Sequence, residues 1–237
     1  MQRNTDSSGF ADLHVHTDFS DGRDTPAQVI EHARRLEWLD VIAITDHDEI
    51  RGAEEALERA ANLDRPEVIV GEEVSSLEGH ILALFITRLV PRGLPAAETI
   101  AAIHEQGGIA IAAHPFWRSA PRAGFRYSVG ELATKLPFDG VEVINGGFTP
   151  SMLVANQRAG SLPRGQRIAA TGGSDAHVRE AIGWARTGFP GSSAADLRWS
   201  LVEGTTSASS GPIALTGIAR YASWGLGRRR PVAPVYS

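Results

Sequence analysis

Histidines and carboxylates are concentrated beside the predicted strands of this chain. Two pairs have a single residue between their members: His14 with His16, and Asp175 with His177. Side chains two residues apart in an extended chain point to the same side, so each pair directs two potential ligand atoms at one point. Further candidates of the same residue types near predicted strands are Asp21, Asp46, His47, Glu72, His80 and His114.

These residue types favour a metal centre held by nitrogen and oxygen. The chain has no cysteine, which excludes disulfides, thiolate zinc sites, iron–sulfur clusters and a thiol nucleophile. Imidazoles with carboxylates suit a catalytic site for Zn²⁺, Mn²⁺ or Fe²⁺. The alternative is that these histidines satisfy buried backbone groups. His32 and His104 lie inside predicted helices, and we interpret them as surface or packing residues.

Short apolar runs alternate with amphipathic stretches, which is typical of βα units around a parallel sheet or barrel. The predicted strands cover residues 10–13, 39–45, 68–70, 80–86, 109–113, 141–144 and 168–170. Helices are predicted to begin at Thr25-Pro26 and Thr149-Pro150 and to cover residues 96–106 and 194–203. Because the carboxyl ends of parallel barrel strands share one rim, we expect the histidines and carboxylates to converge there.

Composition and charge narrow the class of protein. With 42% hydrophobic and 22% charged residues over 237 positions, the chain fits one globular domain. A net charge of -5 argues against broad binding to nucleic acids or anionic membranes. No apolar run approaches the roughly 18 residues of a membrane span. Residues 1–9 lack the apolar stretch of a signal peptide, so we expect a cytoplasmic protein.

The motifs as a set resemble those of the PHP (polymerase and histidinol phosphatase) metallohydrolases. They occur in order as His14-Val15-His16-Thr17, Ser20-Asp21-Gly22, Thr45-Asp46-His47-Asp48, Gly71-Glu72-Glu73, His80, Ala113-His114-Pro115 and Gly173-Ser174-Asp175-Ala176-His177. The lack of a long insert, and the segment from Ile182-Gly183-Trp184 to Thr187-Gly188, are most similar to the CehA/McbA branch of that family.

The resemblance implies an α/β fold, a single-domain distorted (β/α)7 barrel of PHP type over residues 10–212. Residues 1–9 would form a flexible N-terminus, and residues 213–237 a C-terminal helix and tail. Two or three divalent ions of manganese, zinc or iron would bind nine ligands. The first ion would take His14, His16, Glu72 and Asp175; the second would share Glu72 and add His80 and His114; the third would take Asp21, His47 and His177.

The third of these sites departs from the pattern of the family. Many relatives carry a histidine where Asp21 stands, so we expect the third ion to bind more weakly or to be a harder ion. Asp46, beside His47, is predicted to orient a ligand imidazole. Arg118 and Arg51 are predicted to bind the substrate anion, although each is equally compatible with a solvated arginine.

The predicted function is that of a metal-dependent hydrolase. Three ligand carboxylates and a bridging hydroxide against two or three divalent ions leave the site neutral to mildly positive, which favours a small anionic substrate. A phosphoesterase using a metal-bridging hydroxide is the first hypothesis, with Glu72, Asp175 and His177 as catalytic residues. The alternatives are a carboxyl-ester or carbamate hydrolase with the same centre, and a noncatalytic metal-binding regulatory PHP domain.

Overall fold

Nine strands form one sheet in the computed structural model, which describes residues 8–117, 127–162, 168–213 and 215–227. Numbered β1 to β9 in chain order, they are Ser8–Val15, Val41–Ile44, Glu67–Ser75, His80–Leu84, Ile109–Ala112, Gly140–Asn145, Ala169–Gly173, Ala185–Pro190 and Ser207–Ser210. Their order across the sheet is β7-β6-β5-β4-β3-β2-β1-β8-β9. The predicted strands therefore exist, and β3 extends further toward its carboxyl end than its apolar run indicated.

Six α-helices connect or flank these strands in the described residues. Numbered α1 to α6, they are Pro26–Ala33, Arg51–Ala60, Ala96–Glu105, Pro150–Gly160, Ala194–Glu203 and Leu215–Gly227. Thr25 caps α1 in a reciprocal capping box with Gln28, and Thr149 caps α4, as their positions before proline predicted. Helix α2 was not predicted, because its N-cap residue, Ile50, has no polar side chain that would mark the start of a helix.

The sheet is a mixed, distorted barrel. Parallel pairing joins β1 to β2, β2 to β3, β5 to β6 and β6 to β7. Strand β4 runs antiparallel between β3 and β5, and β8 runs antiparallel between β1 and β9. The barrel nearly closes where the Thr187 hydroxyl on β8 donates to the Gly172 carbonyl on β7 at 2.9 Å. The α/β barrel prediction is confirmed.

Buried apolar side chains fill the barrel and the space beneath its helices. One cluster includes Ala11, Leu13, Val41, Ala43 and Ile69 from the first three strands, together with residues of later strands and of α5. Both faces of most strands are covered, which explains their nearly continuous apolar runs. Across the described ranges, we find no helix that combines the length and apolar character needed to cross a membrane.

Candidate metal centre

Six imidazoles and three carboxylates converge at one end of the barrel. They belong to His14, His16, Asp21, His47, Glu73, His80, His114, Asp175 and His177. These side chains form overlapping groups of three or four in which the candidate ligand atoms all lie within 4.8 Å of one another. The structure thus brings together eight of the nine predicted ligands, and places a different glutamate at the ninth position.

Glu73 on β3 holds the central position. Its carboxylate oxygens lie 2.7–3.3 Å from ring nitrogens of five histidines, which are His14, His16, His47, His80 and His114. Burial opposes ionisation of this carboxyl, but the surrounding histidines hold its pKa well below the usual range. A carboxylate that faces so many imidazoles belongs to a set of side chains that could hold a divalent ion.

Glu72 is not in the cluster. The prediction that Glu72 is the bridging and catalytic glutamate is therefore corrected. Successive side chains of a strand point to opposite faces, so Glu72 and Glu73 diverge within β3. The Glu72 Oε2 accepts a hydrogen bond from the Val90 backbone N–H at 2.8 Å, behind the barrel wall. Burial, away from the histidines, raises the pKa of Glu72 to about 8.

A second buried glutamate, Glu142 on β6, supports the inner end of the cluster. With His14 Nδ1 donating, Glu142 Oε1 accepts at 3.0 Å, and His14 Nε2 is left facing Glu73 and Asp175. The other oxygen of Glu142 accepts from the His114 backbone N–H at 2.8 Å and from Asn145 at 3.0 Å. Glu142 was missed in the sequence, although a charged residue inside an apolar strand signals a buried partner.

The outer end of the cluster is carried by loops. Asp21 lies in the turn after β1, with its Oδ1 at 3.0 Å from His177 Nε2, 3.9 Å from His47 Nε2 and 4.0 Å from His16 Nδ1. The side chains of Asp21 and His47 are 19% and 25% exposed, whereas that of Glu73 is 1% exposed. The cluster therefore runs from a fully buried end toward solvent.

Asp46 holds the Asp21 turn, and within the described ranges it has no hydrogen bond or ion pair with an imidazole, which corrects its predicted role. Its carboxylate accepts from the Thr17 backbone N–H at 2.7 Å and from the Thr17 and Ser20 hydroxyls at 2.6 Å each. These three bonds fix the chain between β1 and α1. Asp46 thus acts on the cluster through the backbone that carries Asp21.

Of the two predicted substrate-binding arginines, the structure describes only Arg51, and it lies away from the cluster. Arg51 is exposed at the start of α2, where its Nε donates to Glu49 at 2.8 Å and its guanidinium lies 5.7 Å from the Phe19 ring. It does not line the cavity above the histidines. Arg118 lies outside the described residues, so its predicted role stays a prediction.

Two members of the cluster have backbone in the left-handed region. The φ angle is 53° at Asp175 and 25° at His114. Such a conformation costs a residue with a Cβ about 1–3 kcal/mol and persists where the surrounding structure imposes it. Hydrogen bonds from the His114 backbone N–H to Glu142 and from Asn145 to Asp175 help to impose it.

Several buried ring nitrogens in the cluster lack hydrogen-bond partners, and they show whether these residues fit divalent ions. His14 Nε2, both nitrogens of His16, His114 Nδ1 and His177 Nε2 are inaccessible and lack such a partner. Unpartnered buried polar atoms are rare and costly. In the described part of the chain, the ionic partners of Glu73 and Asp175 are histidines only. Buried imidazole nitrogens that face buried carboxylates are a ligand set that fits divalent cations.

The charge balance differs between individual imidazoles. Burial disfavours the charged form of His16, yet Asp175 and Glu73 outweigh it and raise the pKa of His16 to about 10. For His47, burial prevails over the attraction of Glu73 and Asp21 and lowers its pKa to about 3. The neighbouring carboxylates therefore outweigh burial at His16 but not at His47.

A cavity of about 430 Å³ opens above the cluster. His47, His80, His114 and His177 line its floor together with Glu73 and Asp175. Aromatic rings form its walls, and they belong to Trp117, Tyr127, Phe148, Tyr221 and Trp224. The cavity has room for a small molecule with an apolar or aromatic part.

Similarity to known proteins covers most of this chain. The PHP domain matches residues 12–126, and the PHP-associated region matches residues 154–206. An uncharacterized protein of Methanocaldococcus jannaschii is 37% identical over 148 residues, which are 57% of this chain and 81% of the relative. A 5'-3' exoribonuclease of Haemophilus influenzae is 34% identical over 104 residues, 42% of this chain and 37% of that protein.

The fold is shared with a solved structure from Bacteroides vulgatus, a two-domain protein containing a predicted PHP-like metal-dependent phosphoesterase. The two superpose with a TM-score of 0.66 at 21% sequence identity, over 88% of this chain and 69% of that one. Barrel, histidine cluster and sequence similarity agree, and the chain belongs to the PHP domain family.

Proposed function

We propose that this protein is a metal-dependent phosphoesterase that hydrolyses a small phosphorylated molecule. The observation that carries the proposal is the buried cluster of imidazoles around Glu73 and Asp175, with unpartnered ring nitrogens beneath a cavity. The structural neighbour from Bacteroides vulgatus, whose name includes a PHP-like metal-dependent phosphoesterase, supports this reaction class. We further propose that the chain belongs to the CehA/McbA branch and acts in the cytoplasm.

We propose that the cluster binds two or three divalent ions of manganese, zinc or iron. In this proposal, Glu73 has the ligand role that the sequence predicted for Glu72. The first would take His14, His16, Glu73 and Asp175; the second would share Glu73 and add His80 and His114; the third would take Asp21, His47 and His177. When bound, such ions activate water as the nucleophile and stabilise negative charge on the phosphoryl oxygens.

The protein's own residues orient the ligands and shape the space above them. Glu142 holds His14 in the tautomer that directs Nε2 into the cluster. Asp46 fixes the turn that carries Asp21. The aromatic walls give an apolar leaving group a surface to contact. Glu73, Asp175 and His177 are therefore the residues to which we assign the chemistry.

A second candidate, a carboxyl-ester or carbamate hydrolase, is favoured by the lining of the cavity. Among the described residues, that lining contains no lysine or arginine to bind a phosphate, and much of it is aromatic. A carbonyl substrate with an aromatic leaving group would suit such walls, and the same ion-activated water could attack it.

Nucleic acid is the third substrate class to be tested. The relative from Haemophilus influenzae is named as an exoribonuclease, although it matches only 42% of this chain. The net charge of -5 still argues against broad nucleic-acid binding. The assay therefore includes a short oligonucleotide, whose cleavage would indicate that nucleic acid is a substrate.

The deciding experiment compares hydrolysis of p-nitrophenyl phosphate, bis-p-nitrophenyl phosphate, p-nitrophenyl acetate and a short oligoribonucleotide. The protein is stripped with a chelator and then assayed with and without added Mn²⁺. We expect Mn²⁺-dependent release of phosphate, abolished in Glu73→Gln. Turnover of the acetate alone would favour the carboxyl-ester hydrolase. Metal binding without turnover of any substrate would favour a noncatalytic regulatory domain.

A further inference from the structure

Helix α6 forms one wall of the cavity, although sequence alone placed it outside the barrel domain. Tyr221 and Trp224 are the aromatic side chains that it contributes. Trp224 is only 8% exposed, whereas Leu215 and Leu226 on the same helix are 83% and 72% exposed. The buried face of this helix is therefore the face turned to the cluster.

Trp224 contacts both members of the outermost ion pair of the cluster. Its indole Nε1 donates to the Asp21 backbone carbonyl at 2.6 Å. Its ring lies 4.0 Å, centroid to centroid, from the His177 ring at an interplanar angle of 37°. Asp21 and His177 are themselves 3.0 Å apart, between Oδ1 and Nε2.

The His177 ring is held on both faces and at one nitrogen. His16 stacks on the face opposite Trp224, with centroids 4.2 Å apart and planes at 21°. The Nδ1 of His177 donates to the Asp175 backbone carbonyl at 2.9 Å, which directs Nε2 toward Asp21. Removing the indole would free one face of this ring while leaving its hydrogen bond in place.

Ion pairs attach α6 to the same two segments that carry Asp21 and His177. The Arg220 guanidinium donates to both carboxylate oxygens of Glu180, at 2.6 and 2.9 Å, and to Asp24 at 3.2 Å. Glu180 lies three residues after His177, and Asp24 lies three residues after Asp21. The helix is therefore anchored beside the ligands that Trp224 touches.

We propose that Trp224 is a positioning residue for Asp21 and His177, and that α6 thereby sets the affinity of the outer end for its ion. This inference rests on the proposed metal centre. Asp21 lies in a turn and not in a strand, so its carboxylate depends on contacts from other segments. Partners behind metal ligands typically contribute about 10- to 100-fold to metal affinity.

The test measures metal binding by the full chain without reference to catalysis. The stripped protein is titrated with Mn²⁺ by calorimetry, and ions per chain are counted by mass spectrometry after dialysis at graded Mn²⁺ concentrations. We expect Trp224→Phe, which keeps a ring but loses the indole donor, to weaken the last ion about 10-fold. Trp224→Leu, which loses both contacts, should weaken it by up to about 100-fold. The earlier ions should be unaffected.

Two further variants separate positioning from general damage. Trp199→Phe makes the same substitution on α5, away from the cavity lining, and should leave all binding steps unchanged. Arg220→Gln loosens the attachment of α6 without altering the indole, and should weaken the last ion selectively even if Trp224→Leu fails to fold.

The outcomes that contradict the inference are distinct from failure of the metal centre. Unchanged binding of the last ion in Trp224→Phe and Arg220→Gln would overturn the role of α6. Equal weakening of every ion would also overturn it, because the effect would then be general destabilisation. Wild-type protein that binds no ion at all would instead refute the proposed metal centre itself.

Discussion

The two ends of the histidine cluster are built differently. At the inner end, His14, Glu73 and Glu142 lie on strands of the sheet and are almost completely buried. At the outer end, Asp21 and His47 lie in loops and are partly exposed. Rigid elements hold side chains more accurately than loops do. The inner end therefore has its geometry imposed by the barrel, whereas the outer end depends on contacts such as those from Asp46 and Trp224.

The largest effect is expected from Glu73→Gln, which attacks the inner end directly. A neutral amide bridges ions poorly, and Glu73 faces five imidazoles. The loss of ion affinity and of hydrolysis should exceed the roughly 10- to 100-fold loss caused by outer partners. Ions per chain and the rate of p-nitrophenyl phosphate hydrolysis are the measurements.

Glu72→Gln is the matched control, because it makes the same change one residue away. The amide oxygen of Gln can still accept from the Val90 backbone N–H, so ion content should stay at the wild-type value. If Glu72→Gln lost ions while Glu73→Gln kept them, the assignment of the central ligand from this structure would be reversed.

Glu142→Gln should produce the next largest effect, again at the inner end. The two oxygens of Glu142 accept from His14 Nδ1 on one side and from the His114 backbone N–H on the other. An amide has one oxygen, so either orientation sets an NH₂ group against a donor. We expect about 10- to 100-fold weaker ion binding in calorimetry. Glu105→Gln, at the exposed end of α3, should bind ions like the wild type.

Asp21→Asn should affect only the outer end. The predicted result is graded occupancy, with the third ion lost first on dialysis and regained at high Mn²⁺. If this ion binds the substrate anion, its loss should raise KM by roughly 10-fold and change kcat less, as loss of uniform binding does. Ion loss as complete as in Glu73→Gln would show that the two ends are not separable.

The smallest effect concerns the thermal stability of the metal-free protein. The pKa of His16 is raised to about 10, so protonation of this ring favours the folded state. Its contribution to the free energy of unfolding is fully present below pH 6.5 and is lost as the pH rises through 10. The pKa of His47 is lowered to about 3, so stability is lost instead as the pH falls below 6.5. We expect Tm in chelator to be highest near neutral pH and to fall by a few degrees on either side.

Two substitutions test whether His16 and His47 cause the decreases in Tm at alkaline and acidic pH. His16→Gln should flatten the decrease at alkaline pH, and His47→Gln should flatten the decrease between pH 6.5 and 5. Added Mn²⁺ should stabilise the protein more as the pH rises, because ligation requires neutral imidazoles. A profile that keeps both decreases in both variants would contradict this assignment.

The strands and the convergence of histidines could be predicted from sequence, but the choice between adjacent glutamates could not. Gly71-Glu72-Glu73 offers two carboxylates, and the run Val68-Ile69-Val70 before them is apolar at every position. The sequence therefore shows no alternation that would tell which glutamate faces the cluster. In the structure, strand pairing decides between the two glutamates, because Glu73 lies opposite His47 in an isolated bridge. Strand register, which depends on distant partners, decides which glutamate faces the cluster.

The roles of Glu142 and Trp224 could not be predicted from the sequence, because they depend on contacts between distant segments. Glu142 meets His14 across 128 residues, and Trp224 meets Asp21 across 203 residues. A local pattern contains no information about either pair. The glutamate within Val141–Ile144 could have been noticed as a charge in an apolar strand, whereas nothing around Trp224 marks it as a neighbour of the cluster.

The pairing of β1 with β8 has a consequence for the order of folding. Ser8 to Ala11 align with Thr187 to Pro190, so β1, which carries His14 and ends just before His16, gains its second neighbour only after nearly the whole barrel has formed. Such non-local closure slows folding, because loop entropy is lost before the contacts repay it. In refolding from denaturant, secondary structure should recover first, and the complete set of ligands should assemble in the slowest phase. Metal ions added at the start should therefore stabilise the final state without accelerating its formation.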